Sequence, residues 1–115
     1  MQVLVDTSVW VNYFRGGTGA EKLDFLIDEN LVAINDLILA ELAPFLEIRK
    51  QRKPIHLLLL ISKLPLDIGW DQIIEFQLRC LKSGINGIGI PDLILAQNAK
   101  QYGCQYTRSI TISNS

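Results

Sequence analysis

Short apolar runs alternate along the chain with longer segments of helical spacing, and this alternation restricts the possible folds more than any other feature. The apolar runs cover residues 2–5, 31–34, 66–68 and 104–107. Runs of this length suit strands that are covered on both faces, as in a parallel sheet. Strands that alternate with helices predict an α/β fold, and we expect a three-layer α/β/α sandwich around a small central parallel sheet.

Capping and helix-breaking residues divide the remaining segments into predicted helices. Thr7 or Ser8 can cap the first helix, and Asn35 or Asp36 can cap the third. Pro44 would kink or restart that third helix, because proline lacks the backbone N–H that a helix interior uses. The predicted helices cover residues 9–14, 21–27, 37–43, 54–64, 70–81 and 91–99. In folds of this class, ligand sites lie beyond the carboxyl ends of the strands.

The length of the chain bounds the number of domains. We expect a single domain over residues 1–115, because no repeat, low-complexity tract or Ser/Pro-rich linker interrupts them. The longest stretches without Asp, Glu, Lys or Arg are nine residues, far below the roughly 18 to 20 needed to span a bilayer. With no predicted membrane segment or basic leader, and with only Cys80 and Cys104 as cysteines, we expect a cytoplasmic protein with reduced thiols.

The charge balance excludes the strongly basic type of nucleic-acid-binding protein. The chain has 11 Lys and Arg residues against 12 Asp and Glu residues, a formal net charge of −1. It therefore lacks the long-range attraction to phosphates that a basic chain exerts. Contact with RNA or DNA would need a local basic patch. The run Arg49, Lys50, Arg52 and Lys53 could supply one, or it could be a solvated loop.

Three acidic residues stand in sequence that is otherwise apolar. Asp6 ends the first apolar run, Glu41 is the only charge in residues 37–45, and Asp92 is the only charge in residues 88–96. An ionised carboxylate in buried surroundings is costly unless it is paired or binds a metal. Because no basic residue adjoins these acids in sequence, a divalent cation is the simplest partner. Oxygen ligands favour Mg²⁺, with Mn²⁺ as the second candidate.

Each of the three acids also has a purely structural interpretation. Asp6 can cap a helix or close a turn, Asp92 can match the dipole of a helix that starts at Pro91, and Glu41 can point to solvent. Any one of these acids, taken alone, fits its structural role as well as it fits a metal site. The presence of all three favours the acidic metal site.

The segments around these acids resemble the motifs of PIN domains, especially those of VapC-type toxins from bacterial and archaeal toxin–antitoxin pairs. Residues 3–10 (VLVDTSVW) are similar to the opening of the family, residues 39–42 (LAEL) to its second acidic motif, and residues 90–96 (IPDLILA) to its third. The resemblance extends from residue 3 to about residue 107, so it covers nearly the whole chain.

The resemblance implies a Mg²⁺-dependent endoribonuclease on a small α/β/α fold. Asp6, Glu41 and Asp92 match the first three acids of the family and would be catalytic, with Asp6 and Asp92 as the Mg²⁺ ligands. Ser8 would position a ligand or cap a helix. RNA is the implied substrate, with no residue assigned to RNA binding. A cognate antitoxin and a second copy of the chain, in a homodimer, are the implied partners.

One position departs from the family pattern. PIN domains commonly carry a fourth acid in a Thr-x-Asp arrangement after the last strand, but here Thr107 and Arg108 are followed by Ser109. The C-terminal end is therefore expected to be shortened or divergent. A second hypothesis is that the chain is catalytically impaired and binds an antitoxin or RNA without cleavage. A phosphatase with Asp6 as nucleophile is disfavoured, because Ser8 occupies the position of the second Asp that such an enzyme needs.

Overall fold

The computed structural model describes residues 2–107, and a parallel sheet runs through them. Its strands are β1 (Val3–Val5), β2 (Val32–Ile34), β3 (Ser62–Lys63) and β4 (Gln105–Thr107). They lie in the order β3-β2-β1-β4, and every neighbouring pair is parallel. The predicted α/β sandwich with a small parallel sheet is confirmed.

The helices of residues 2–107 each overlap one of the predicted helices. They are α1 (Thr7–Phe14), α2 (Ala20–Asp28), α3 (Asp36–Ile48), α4 (Arg52–Leu60), α5 (Trp70–Lys82) and α6 (Ile90–Gln101). The prediction that the helix restarts at Pro44 is wrong, because α3 is one helix through this residue, with Leu42 and Leu46 on either side of it fully buried in the core. Within the described range, no helix has the length and apolarity needed to cross a membrane.

The third strand lies earlier in the chain than predicted. A strand over residues 66–68 is wrong, because β3 is formed by Ser62–Lys63. The helix before it ends at Leu60 instead of residue 64, so the chain reaches β2 sooner than expected. Leu66 and Ile68 pack instead against a second and smaller core, which is formed by Ile73, Leu93 and Ile94. Their apolar character therefore reflects burial and not strand pairing.

The main core surrounds β1 and β2. Its fully buried side chains include Leu4, Trp10, Ile34, Ile38 and Leu42. Trp10 is fully buried in this core and its ring stacks on Phe14 with their centroids 5.7 Å apart. Burial of Trp10 anchors α1 to the core within one turn of its start. This anchoring fixes the direction of the chain directly after Asp6.

Two buried amides connect α6 to the chain between α4 and α5. Nδ2 of Asn35 donates to Oδ1 of Asn98 at 2.9 Å, and Nδ2 of Asn98 donates to the carbonyl of Pro65 at 3.0 Å. The side chain of Gln97 accepts from the backbone N–H of Gly69 at 3.0 Å and donates to its carbonyl at 3.2 Å. Side-chain hydrogen bonds from α6 therefore fix the segment that was expected to be a strand.

Candidate functional site

The carboxyl ends of the strands form one edge of the sheet, where three elements carry the predicted site acids. Asp6 follows β1, and its backbone N–H donates to the carbonyl of Thr107 at the end of β4, at 3.0 Å. α3 starts at this edge, because only Asn35 separates it from β2. α6 is joined to the start of β4 by residues 102–104 and runs antiparallel to it, so its first turn lies toward the same edge. The topology thus directs three separate segments of the chain to one side of the sheet.

Asp6 is partly buried, and its carboxylate accepts three hydrogen bonds from residues between 2 and 107. Oδ2 accepts from Oγ of Ser8 at 2.6 Å and from the Ser8 backbone N–H at 3.3 Å, and Oδ1 accepts from the hydroxyl of Tyr106 at 3.1 Å. Asp6 is therefore the N-cap of α1, and the prediction that Thr7 or Ser8 caps this helix is wrong. A carboxylate offers about four lone-pair sites, so these bonds orient Asp6 without occupying all of its sites within the described range.

Glu41 is exposed and is joined to the residue next to Asp6. Thr7, the first residue of α1, donates its Oγ1 hydroxyl to Oε1 of Glu41 at 2.9 Å. This bond connects the start of α1 to the second turn of α3. The Glu41 side chain is therefore directed toward the first acidic motif and does not simply extend into solvent.

Asp92 lies in the first turn of α6. Its Oδ2 accepts from the backbone N–H of Gly89 at 3.1 Å, which completes a capping interaction at the start of the helix. The next two residues, Leu93 and Ile94, are buried in the second core and fix this turn in place. Asp92 thus occupies the position that the helix dipole favours for an anion.

The chemistry of the three acids fits a hard divalent cation, although the acids do not form a ready-made ligand cluster. Carboxylate oxygens are the ligands that Mg²⁺ and Mn²⁺ prefer. The ion pairs found within residues 2–107 do not include Asp6 or Glu41, so no basic side chain of this range neutralises either of them. In the same part of the chain, no group of three or more His, Cys, Asp and Glu side chains is arranged to hold a metal ion. A bound ion would therefore have to draw Asp6, Glu41 and Asp92 together.

Tyr106 is a residue of this edge that sequence reasoning missed. Its hydroxyl contacts Asp6 although the two residues are 100 positions apart, because β4 pairs with β1 and places Tyr106 opposite Leu4. The residues of a single strand do not predict which strands will lie beside it in the sheet. The only signal in the sequence is a hydroxyl-bearing side chain in the last strand.

The remaining sequence features stand apart from the three acids. The basic run begins at Arg49, whose guanidinium lies 5.1 Å from the ring centroid of Phe45. It follows α3, about 12 Å of helical rise beyond Glu41, so it does not line the acidic edge. Ser109 lies outside the described residues.

Comparisons with known proteins agree with this fold. The family model described as "PIN domain" matches residues 3–109 of the chain, a range that contains all three candidate acids. The fold is similar to that of a chain in the crystal structure of VapBC2 from Rickettsia felis bound to a DNA fragment from their promoter, with a TM-score of 0.72 and 19% sequence identity. That match covers 99% of this chain and 92% of the other chain. No curated protein sequence matches.

Proposed function

Because this chain belongs to the PIN domain family, we propose that it is a metal-dependent endoribonuclease and the toxin of a toxin–antitoxin pair. The observation that carries the proposal is the link between two acidic motifs. Asp6 ends β1, and the next residue, Thr7, donates its hydroxyl to Glu41 on α3. Asp92 approaches the same sheet edge from α6. These are the acids that the family resemblance assigns to catalysis.

In this proposal Asp6 and Asp92 hold Mg²⁺, with Mn²⁺ as an alternative, and Glu41 completes the acidic site. A bound ion lowers the pKa of water for attack on a phosphodiester and offsets the negative charge that builds up on the phosphoryl oxygens. The chain itself orients the ligands. Ser8 and Tyr106 hold the two oxygens of Asp6 from different elements, which limits the rotation of this carboxylate.

RNA is the proposed substrate, and a cognate antitoxin is the proposed partner. The fold similarity to a chain of the Rickettsia felis VapBC2 assembly on promoter DNA supports a partner of this kind. We also propose a homodimer, a single PIN-like domain over residues 1–115 and a cytoplasmic location. No residue is assigned to RNA binding.

Removal of divalent metal is expected to slow RNA cleavage at least about 100-fold, because the acidic site would lose the ion that activates water. The measurement uses the purified chain and a mixture of labelled single-stranded RNA oligonucleotides, with EDTA and then with excess Mg²⁺ or Mn²⁺. Circular dichroism in EDTA controls for unfolding. Equal cleavage rates in EDTA and in Mg²⁺ would contradict the proposed mechanism.

The second candidate function is a PIN-fold binding module that does not cleave RNA, and Ser109 is the observation that favours it. If the missing acid alone limits catalysis, the change Ser109→Asp is expected to produce Mg²⁺-dependent cleavage where the unchanged chain has none. Ser109→Asn is the matched control, since it adds similar volume without a charge. Cleavage by the unchanged chain at a rate equal to that of Ser109→Asp would exclude the impaired module.

A further inference from the structure

Exposed basic side chains cluster where α1 ends and where α3 connects to α4. We call this cluster the basic corner, and its members are Arg15, Arg49, Lys50, Arg52 and Lys53. The guanidinium carbons of Arg15 and Arg49 lie 5.5 and 5.1 Å from the centroid of the Phe45 ring. One ring therefore holds cations from two different helices, and the charges at the ends of α1 and α3 form a single patch.

The start of α4 is an unfavourable place for two of these charges. A helix N-terminus carries a partial positive charge, which stabilises acids and disfavours cations. Arg52 and Lys53 are nevertheless the first two residues of α4, whose first turn contains no acidic residue and whose N-cap forms no side-chain hydrogen bond. Helix capping and the helix dipole therefore do not account for basic residues at this position.

Lys50 occupies a backbone position that glycine adopts at the least cost. Its φ is 55°, in the left-handed region where many helices end. A side chain is strained in this region, so glycine or asparagine is the usual residue there. The chain thus carries a positive charge where the turn itself favours glycine.

The basic corner forms no ion pair with an acid of residues 2–107. The ion pairs within this range join Lys63 with Asp36 and Arg79 with Glu75. Like charges that lie close together repel one another, and this repulsion opposes the compact state. A row of anions bound at the basic corner would remove this cost.

The packing of α1 on α3 connects the basic corner to the acidic edge of the sheet. The two helices lie side by side, and Thr7 donates to Glu41 at the end near the acidic edge. Arg15 comes eight residues after Thr7, a helical rise of about 12 Å. Arg49 comes eight residues after Glu41, at the same rise. A stacked strand of nucleic acid advances about 3.4 Å per nucleotide, so this distance corresponds to about three or four nucleotides.

We propose that the basic corner binds the phosphate backbone of single-stranded RNA, about three or four nucleotides away from the phosphodiester held at the acidic edge. Lys and Arg side chains supply affinity for phosphates that does not depend on sequence, and a guanidinium group can donate two parallel hydrogen bonds to one phosphate. The basic corner therefore positions the strand across α1 and α3 and does not read its bases.

This inference rests on the RNA substrate of the proposed function, but not on cleavage. A binding module that does not cleave RNA would need the same phosphate contacts. RNA is favoured over an acidic protein segment, because the helices that carry Arg15 and Arg49 start at the site proposed for phosphodiesters. An acidic segment of an antitoxin is the competing outcome of the tests.

The first test measures the binding of a labelled oligo(U) of about 12 nucleotides by fluorescence anisotropy, in EDTA to prevent metal-dependent cleavage. Arg49→Gln is expected to raise Kd at least about fivefold in about 50 mM salt, and to reduce the slope of log Kd against log salt concentration by about 0.7, the value of one phosphate contact. Lys100→Gln is the matched control, because Lys100 is an exposed basic residue in the last turn of α6. Equal Kd values for the two variants would overturn the proposal.

The second test uses Lys50→Gly to separate binding from folding. Glycine adopts the left-handed conformation without strain, so the midpoint of urea unfolding is expected to stay the same or to rise. The loss of one charge is expected to raise Kd for oligo(U) at least about threefold. Binding by Lys50→Gly as tight as that of the unchanged chain would contradict the role assigned to Lys50.

Two further probes test the identity of the occupant. A labelled decaglutamate peptide stands for an acidic protein segment, and an oligo(dT) of the same length as the oligo(U) stands for DNA. We expect the oligo(U) to bind more tightly than the peptide. Tighter binding of the peptide that Arg49→Gln abolishes would assign the basic corner to a protein partner. Binding of oligo(dT) at least about tenfold tighter than that of oligo(U) would exclude RNA as the preferred strand.

Failure of the basic corner and failure of the nuclease give different results. Circular dichroism of every variant shows whether the chain remains folded. If Arg49→Gln weakens binding in EDTA while the unchanged chain cleaves no RNA in Mg²⁺, the basic corner stands and the nuclease does not. If the unchanged chain cleaves RNA in Mg²⁺ while Arg49→Gln and Lys100→Gln bind RNA equally well, the basic corner is overturned and the nuclease stands.

Discussion

Replacing Asp6 with Asn is expected to lower the rate of RNA cleavage about 1000-fold while the chain remains folded. The carboxylate of Asp6 caps α1 and accepts from Ser8 and Tyr106. Asn is as good an N-cap as Asp, so the helix start is expected to be preserved. The substitution removes the negative charge that an ion in this site would need. Cleavage of labelled RNA in Mg²⁺ gives the rate, and isothermal titration with Mn²⁺ gives a second readout, the loss of metal binding.

The matched control for this change is Asp28→Asn. Asp28 is an exposed carboxylate at the end of α2, away from the three acidic motifs. The change Asp28→Asn removes one negative charge, as Asp6→Asn does, and is expected to change neither the cleavage rate nor Mn²⁺ binding. Cleavage by Asp6→Asn at the rate of Asp28→Asn would show that Asp6 takes no part in the reaction.

Replacing Asn98 with Leu is expected to lower the free energy of unfolding by about 3 kcal/mol, more than 100-fold in the folding equilibrium. Leu has the same branched arrangement of heavy atoms as Asn, with bulkier terminal groups, but it cannot form hydrogen bonds. Nδ2 of Asn35, which is fully buried, would lose its acceptor, and the carbonyl of Pro65 would lose its donor. A buried polar group without a partner costs more than the average hydrogen bond contributes. Urea unfolding followed by circular dichroism measures the change.

Gln101→Leu is the control for the loss of an amide from the same helix. Nε2 of Gln101 donates to the carbonyl of Asp67 at 2.8 Å, but Gln101 is exposed and water can replace it. Its substitution is expected to change the free energy of unfolding by no more than about 0.5 kcal/mol. If Asn98→Leu and Gln101→Leu had equal effects, burial of the Asn35 and Asn98 pair would not be the source of the stability.

The parallel sheet and the position of the acids could be predicted because both leave local signals. Short apolar runs between helical segments specify an α/β fold, and an acid directly after such a run stands at the carboxyl edge of the sheet. Asp6 shows this most clearly, since the residues before it are β1 and the residues after it are α1. Asp92 has a different local signal: Pro91 before it predicts the first turn of a helix, and α6 starts there.

Other features could not be predicted because they depend on contacts between distant segments. The apolar residues at 66 and 68 have the composition of a strand, but the second core and the amides of α6 hold them in an irregular segment. The role of Tyr106 depends on β4 lying beside β1, which no local pattern specifies. α3 continues through Pro44 because burial of two leucines outweighs the lost backbone hydrogen bond.

The pairing of β1 with β4 has a consequence for the timing of synthesis on the ribosome. β1 and Asp6 are translated well before Tyr106, which orients Asp6 and follows it 100 residues later. α6, with Asp92, is also among the last elements to emerge, and β1 has no β4 to pair with until then. Among the described elements, the carboxyl edge of the sheet is therefore complete only after β4 has been synthesised.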